Sequence, residues 1–221
     1  MRLLSTKKLN KKMKMAFIKN NYSVVEMPMI KTVKINFIWP EILDAIIITS
    51  SFALKSIIKH PGFKSLKKYP FFCVGSRTKE KLLELGIKIE ACEKSAKNLV
   101  IKIGNNYRKK SFNYFCGKQR LKTIENFALA NNIKINISEV YQTNEIHKKI
   151  NEKFDGIIFF SPSAVRGYAS LNTFDSLKVF SWGNTTTKEI TKYCDTCFTS
   201  KSPSTESLIL LINKTLKKFN A

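Results

Sequence analysis

The run Asp155-Gly-Ile-Ile-Phe-Phe-Ser-Pro-Ser-Ala-Val-Arg166 carries unbroken apolar residues straight into a Ser-Pro-Ser punctuation that opens a new periodic segment. It reads as a buried strand delivering its end to a helix N-terminus. The free N–H groups of such a helix start favour negative charge, so the corner faces an anion. The same order of residues is met 111 positions earlier, as Asp44-Ala-Ile-Ile-Ile-Thr-Ser-Ser-Phe-Ala-Leu-Lys55. A chain that turns this corner twice is constrained to alternate buried strands with helices.

Other pairs recur at nearly the same offset, 108 to 109 positions. Cys73-Val-Gly-Ser-Arg-Thr78 matches Ser181-Trp-Gly-Asn-Thr-Thr186, and Ser95 with Asn98-Leu99 matches Ser204 with Ser207-Leu208. The β-α-β pattern of the first 30 residues resembles that from Phe112 to Tyr141. The chain is therefore a duplicated unit of about half its length, a period suited to two domains rather than a solenoid. Alternation of strands and helices makes the fold α/β with parallel sheets, in which ligands sit outside the carboxyl ends of the strands. A cleft between two such edges is the expected site.

Taken in order, the pattern predicts a strand at Arg2–Ser5, a helix over 7–19 and a strand over 22–27, with 29–33 as an exposed strand or linker after Pro28. Strands follow at 45–49, 69–74, 87–91, 112–116, 133–140 and 177–182. Helices are predicted over 52–59, stopped by Pro61-Gly62, over 79–85, closed by Gly86 as a C-cap, from Ser95 to about 103, and over 121–130. Further helices are predicted over 144–153, from Gly183-Asn-Thr-Thr186 to 193, and from Ser202-Pro-Ser204 onward, where Leu208, Leu211, Ile212 and Leu216 share a face.

The 221 residues are 43% hydrophobic, enough to bury a core, and no apolar run approaches the ~20 residues of a membrane span. Neither a membrane span nor a cleavable signal is expected. Five cysteines, Cys73, Cys92, Cys116, Cys194 and Cys197, sit mostly inside apolar runs and suit reduced thiols in a cytoplasm. The net charge of +23 draws polyanions at long range. Its lysines are spread along the chain with abundant Ile and Asn, a bias that A/T-rich coding imposes without selection for binding.

Familiar catalytic signatures are absent. His60 precedes a proline and His147 lies among charges; the Ser-Pro-Ser corner lacks a nucleophile elbow; Cys194-Asp-Thr-Cys197 has no second ligand pair; and no two glycines are spaced as G-x-G. What remains is a set of hydroxyls and backbone amides at strand ends: Thr49, Ser50, Ser51, Gly75, Ser76, Thr78, Gly117, Ser161, Ser163, Gly183, Thr185, Thr186 and Ser204. Helix capping accounts for such residues without a ligand; the functional alternative is that the repeated ends surround one carboxylated ligand. Tyr141, at the end of a strand where the chain leaves one half, either anchors a linker by burial or faces the cleft.

Together these features resemble the uroporphyrinogen-III synthase family over nearly the whole chain. The family's TSP-AV-like corner occurs twice, as Thr49-Ser-Ser-Phe-Ala-Leu54 and Phe160-Ser-Pro-Ser-Ala-Val165, each followed by a VG–T corner, Val74-Gly-Ser-Arg-Thr78 and Trp182-Gly-Asn-Thr-Thr186. Similar too are the Gly-x-x-Arg corner at Gly117 to Arg120, Val140-Tyr-Gln-Thr143, and Ser202-Pro-Ser-Thr205 with Leu208. Ser51 stands where the first corner usually has proline, and Trp182 replaces a small aliphatic.

The resemblance implies an interleaved α/β fold. Two similar domains with parallel sheets, one built from residues 1–28 and 145–221 and the other from 33–141, are joined by linker strands at about 29–32 and 142–144 that act as a hinge. It implies a cofactor-independent, metal-free lyase of haem biosynthesis. The enzyme takes the acidic linear tetrapyrrole hydroxymethylbilane, removes water from its hydroxymethyl carbon, and closes the macrocycle with ring D inverted through a spiro intermediate. Tyr141 is the expected catalytic group, with Thr78 and Thr186 as matching cleft hydroxyls, and with Arg120 and Arg77 either as carboxylate contacts or as solvated surface groups. A cytoplasmic monomer without nucleic-acid or membrane partners is expected. A non-catalytic binding or sensor protein of the same fold is the alternative.

Overall fold

The structure, a computed structural model, describes residues 1–217. Strand β1 (Arg2–Ser5) leads to helix α1 (Lys11–Lys19), which starts at Lys11 rather than Lys7 because the Asn10 side chain caps it by accepting from Met13 N. Strands β2 (Ser23–Glu26) and β3 (Ile30–Lys34) follow, then β4 (Ala45–Ile48), α2 (Ser51–Ile57), α3 (Phe63–Leu66), β5 (Phe71–Val74), α4 (Ser76–Glu84) and β6 (Ile89–Glu93). Gly86, at φ 69°, ends α4 in the left-handed conformation that a glycine adopts without strain. Next come α5 (Ala96–Asn106), β7 (Phe112–Gly117), α6 (Thr123–Ala130), β8 (Ile135–Glu145) and β9 (Gly156–Phe159). The chain continues through α7 (Pro162–Ala169), β10 (Lys178–Ser181), α8 (Asn184–Ile190), β11 (Phe198–Thr199) and α9 (Thr205–Lys217).

The helix expected over 144–153 does not form. Ile146 and Ile150 have the spacing of a helical stripe, but β8 runs on through Glu145 and the segment beyond it is irregular. Its backbone groups find other partners: Ile146 N bonds Met29 O at 2.8 Å, Ile150 N bonds the Asn172 side chain at 2.8 Å, and Asn172 Nδ2 returns a bond to Lys148 O at 2.8 Å. Two short elements, α3 and β11, had no pattern in the sequence to announce them.

The chain divides into two compact units. Unit 1 comprises residues 1–31 and 144–221 as a span of chain, and unit 2 comprises 32–143. In unit 1 the strand order is β2-β1-β9-β10-β11, every pair parallel. Its sheet is buried on both faces: Leu3, Ile158 and Phe180 pack under α1 and α9 with Phe17 and Leu208, while Leu4, Ile157 and Val179 pack with Val165 and Ile190 of α7 and α8. In unit 2 the order is β3-β8-β7-β4-β5-β6, with β8, β7, β4, β5 and β6 paired in parallel. Ile47, Phe72 and Phe112 face α5 and α6, and Ile46, Ile48 and Cys73 face α2, α3 and α4. Strands buried on two faces explain why the sequence reads as continuous apolar runs such as Ala45-Ile-Ile-Ile48.

Candidate functional site

In each sheet the connections reverse direction at one point, between β1 and β9 in unit 1 and between β7 and β4 in unit 2. Neighbouring loops part there at the carboxyl ends, which makes the crevice outside that point the place where open α/β sheets take ligands. The candidate hydroxyls and glycines, Arg120 and Tyr141 all lie along these two carboxyl edges.

In unit 2, Thr49 and Ser50 follow β4. Ser50 caps α2 by accepting from Phe52 N at 3.1 Å, and Ser51 is the first helical residue. Thr49 Oγ1 lies 2.9 Å from the hydroxyl of Tyr114. At the end of β7, Gly117 stands in register with Tyr141 of β8, and Lys118 N donates to Tyr141 O at 2.9 Å. A Cβ placed on Gly117 would come within 2.5 Å of Tyr141 Cζ and 2.8 Å of its Oη, so the hydroxyl end of the phenol ring lies close against this glycine. Phe52 sits against the same ring, with centroids 6.0 Å apart. Tyr141 is therefore half-buried beside the switch point rather than sealed in the core.

Gly75 and Ser76 form a different kind of corner. Gly75 has φ 82°, which a glycine tolerates and other residues resist. No side chain caps α4, whose first amides are left for an outside acceptor. Thr78 is only 4% exposed, and its N–H bonds Gly75 O at 3.1 Å. Little of its hydroxyl is open to a ligand.

Arg120 departs most from expectation. Its side chain, 16% exposed, is held by Glu125 at 2.6 Å and Glu139 at 2.6 Å, and it donates to Gly117 O at 2.9 Å. A guanidinium already matched by two carboxylates braces the loop after β7 and has no charge to spare for a substrate. Its pKa is raised by these carboxylates despite the opposing effect of burial. Arg77, by contrast, is exposed on the first turn of α4.

In unit 1, Ser161 caps α7, accepting from Ala164 N at 3.3 Å with Ser163 Oγ 3.3 Å away. Pro162 occupies the first helical position, where its missing N–H costs nothing. Gly183 precedes α8, which again has no side-chain cap. Its φ of 172° is extended backbone, so the two glycine corners differ in geometry. Thr185 is exposed, whereas Thr186 is 3% exposed, like Thr78. Ser204 caps α9 by accepting from Ser207 N at 3.1 Å. Ser50, Ser161 and Ser204 thus each cap one amide of their own helix start, and the two glycine corners have no side-chain cap.

Sequence reasoning missed residues that the strand order brings in. Thr6 and Lys7 follow β1 at the switch point. Thr6 Oγ1 donates to Ile158 O at 2.8 Å, and Lys7 Nζ lies 3.9 Å from the Phe160 ring centroid and 5.0 Å from that of Trp182. Trp182, one of the two departures from the family pattern, thereby helps position a cation. Tyr114, in the middle of β7, was also missed. No local motif marks these three; only the pairing of β1 with β9 and of β7 with β4 does.

Neither histidine joins an edge cluster. His60 stacks on Trp39 with centroids 4.2 Å apart and accepts from Gly62 N, and exposed His147 bonds Ser170 Oγ at 2.7 Å. Cys194 and Cys197 pack against the apolar cluster of unit 1. Among the described residues no group of three or more His, Cys, Asp or Glu side chains is placed to hold a metal ion.

The chain matches the family model for uroporphyrinogen-III synthase HemD over residues 11–210. It is similar to the crystal structure of uroporphyrinogen-III synthetase from Helicobacter pylori, with 19% identity, a TM-score of 0.75, and coverage of 98% of this chain and all of that one. It is also similar to a mutant uroporphyrinogen III synthase from Thermus thermophilus, with 12% identity, a TM-score of 0.60, and coverage of 100% and 99%. At these identities the two structures speak to the fold, while the family match extends through both units. No curated protein matches the chain.

Proposed function

The chain belongs to the uroporphyrinogen-III synthase family, and on that premise we propose that the carboxyl edges of its two sheets bind the substrate carboxylates while Tyr141 serves the bond-breaking step. The family's reaction belongs to tetrapyrrole biosynthesis. Hydroxymethylbilane loses the hydroxyl of its terminal carbon as water, and a new carbon–carbon bond closes the ring with ring D inverted. The product is uroporphyrinogen III. The alternative of a non-catalytic relative has no observation in its favour.

The single observation that carries the assignment of roles is the Tyr141 ring lying against Gly117 beside the unit 2 switch point. From there its hydroxyl donates a hydrogen bond to the departing oxygen and eases the break of the carbon–oxygen bond. The uncapped starts of α4 and α8 bind carboxylate oxygens through their amides, with Ser76 and Thr185 as neighbouring hydroxyls. Thr49, Ser50, Ser51, Ser161, Ser163 and Ser204 add hydroxyl donors along the same edges. Thr78 and Thr186 shape the helix starts from beneath. The excess positive charge attracts the polyanionic bilane from a distance.

Most of the rate enhancement comes from holding the two ends of a flexible, reactive chain together in one orientation. The side chains described supply positioning and a hydrogen-bond donor, and the reading needs no cofactor, no nucleic acid and no second subunit. Among the described residues no helix is long and apolar enough to cross a membrane.

Freshly generated hydroxymethylbilane, supplied to the purified protein, tests the proposal. After oxidation the uroporphyrin isomers are resolved, and an excess of type III over the type I that forms unassisted is expected. Type I alone would end the enzymatic reading.

A further inference from the structure

We propose that Tyr114 is a positioning residue for substrate binding: it fixes the Thr49 hydroxyl as an outward hydrogen-bond donor to a substrate carboxylate at the unit 2 switch point. The inference rests on reading the carboxyl edge of this sheet as a substrate-binding edge.

Register explains how the two residues meet. Tyr114 pairs with Ile47 across β7 and β4, and both pack in the cluster facing α5 and α6. Thr49 lies two residues beyond Ile47 and so continues the same face. The tyrosine side chain leans along the strand direction far enough to bring its oxygen within 2.9 Å of Thr49 Oγ1.

Burial then decides the direction of the bond. Tyr114 is 3% exposed amid apolar side chains, and Thr49 is the only hydrogen-bond partner of its hydroxyl among the described residues. A buried O–H without an acceptor is strongly disfavoured. Tyr114 must therefore donate, and Thr49 must accept. Burial also pushes the Tyr114 phenol up to about 12, so it keeps its proton across the working range of pH. A threonine hydroxyl has one hydrogen, and with a lone pair engaged by Tyr114 that hydrogen is left to point elsewhere. Thr49 is half-buried where β4 gives way to α2, next to the cap Ser50, with no other hydrogen-bond partner among the described residues. Released from Tyr114, the Thr49 side chain would be free to turn its hydrogen toward a backbone carbonyl, as short hydroxyl side chains commonly do.

The test is a double-mutant cycle on the whole chain, read as KM and kcat with hydroxymethylbilane and accompanied by thermal melting. Both Tyr114→Phe and Thr49→Val are expected to raise KM by about tenfold, the loss of one charge-assisted hydrogen bond, with kcat changed less than about threefold. The double variant is expected to match Thr49→Val within about twofold, because Tyr114 acts through Thr49. Thr49→Ser, which keeps an oxygen for Tyr114 and a hydrogen for the substrate, is expected to recover most of the affinity. Losses that multiply to about a hundredfold in the double variant would overturn the proposal. So would a normal KM for Tyr114→Phe beside an impaired Thr49→Val, and that pattern would leave the binding edge itself standing. A normal KM for Thr49→Val would remove the edge reading at Thr49 and the proposal together. Should Tyr114→Phe fail to fold, Thr49→Ser decides: a serine variant as poor as valine overturns the mechanism.

Discussion

Gly117→Ala probes the placement of Tyr141 without touching the phenol itself. Gly117 lacks a positive φ, so alanine is compatible with its backbone and any effect comes from the added methyl. That methyl would lie 2.5 Å from Tyr141 Cζ and 2.8 Å from Oη, where carbon atoms in contact normally sit about 3.5–4.0 Å apart. Relief therefore needs a displacement of roughly 1 Å at the end of the ring. The struck atoms belong to the far end of a half-buried side chain, which can swing more readily than backbone. The stability cost should therefore fall near the low end of the ~1–3 kcal/mol typical of overpacking, lowering the melting midpoint by about 2–4 °C.

Activity should suffer more than stability. A misplacement of ~1 Å at a reacting group can cost up to about a hundredfold, whereas deleting one proton donor costs roughly tenfold or more. We therefore expect Gly117→Ala to lower kcat/KM by about ten- to a hundredfold and Tyr141→Phe by about tenfold or more. The double variant should be no worse than the poorer single one, since both act on one group. The assay is the initial rate of type III formation from freshly made hydroxymethylbilane, with type I followed in parallel. A Gly117→Ala protein that melts within a few degrees of the parent and turns over at the parental rate would refute the placement argument. A rate loss that tracks loss of folded protein would refute it equally.

Three further outcomes concern groups other than Tyr141 and Gly117. Arg120→Met leaves the mostly buried Glu125 uncompensated and should cost about 2–4 kcal/mol by urea denaturation, somewhat below the usual range for a buried pair because Glu139 is 39% exposed. KM should change little, and a raised KM at unchanged stability would return Arg120 to the substrate. The Cys73 and Cys116 thiols are pushed up to about 12 by burial, so mass spectrometry after maleimide treatment of the native protein at pH 8 should find both unmodified. Asp44 is held below its usual 3.8 by hydrogen bonds from the Ser111 hydroxyl and backbone N–H. A lowered folded pKa stabilises the fold above the unfolded value, and that contribution is lost as pH falls through the folded one. Asp44→Asn should therefore flatten the decline of the melting midpoint below about pH 4, and an unchanged acid limb would exclude the contribution.

Local chemistry made part of this molecule readable. The buried strands announced themselves as apolar runs, and Ser95, Ser161 and Gly86 marked helix ends because each cap acts within three or four residues. The candidate residues gathered at strand ends for the same local reason. What could not be read depends on pairing at long range. The Tyr114–Thr49 bond joins residues 65 apart, and Lys7 meets Phe160 only because β1 lies beside β9. Arg120 looked like an open cation because the sequence does not show that β8 brings Glu139 alongside it. The false helix after Asn144 has a similar origin, since Asn172 and Met29 outcompete an intrahelical ladder.

The strand orders explain why duplication in the sequence does not correspond to the two folded units. Taken along the chain, the repeat runs β1, β2, β4, β5, β6 and then β7, β8, β9, β10, β11. The sheets instead combine β2-β1 with β9-β10-β11, and β8-β7 with β4-β5-β6. Apart from β3, which adds a sixth strand at the edge of the unit 2 sheet, the two sheets have the same spatial order, each taking two strands from one copy and three from the other. The exchange places the two halves of each switch point on different copies: β1 meets β9, and β7 meets β4. A β-α-β fragment the size of β1-α1-β2 buries too little surface to fold alone, and in this arrangement it completes a sheet begun by the second repeat. Neither of the proposed binding edges can therefore form until strands from both copies have paired. That requirement makes the corners at Thr49 and Ser161, alike in sequence, depend on distant partners for the groups that give each its chemistry.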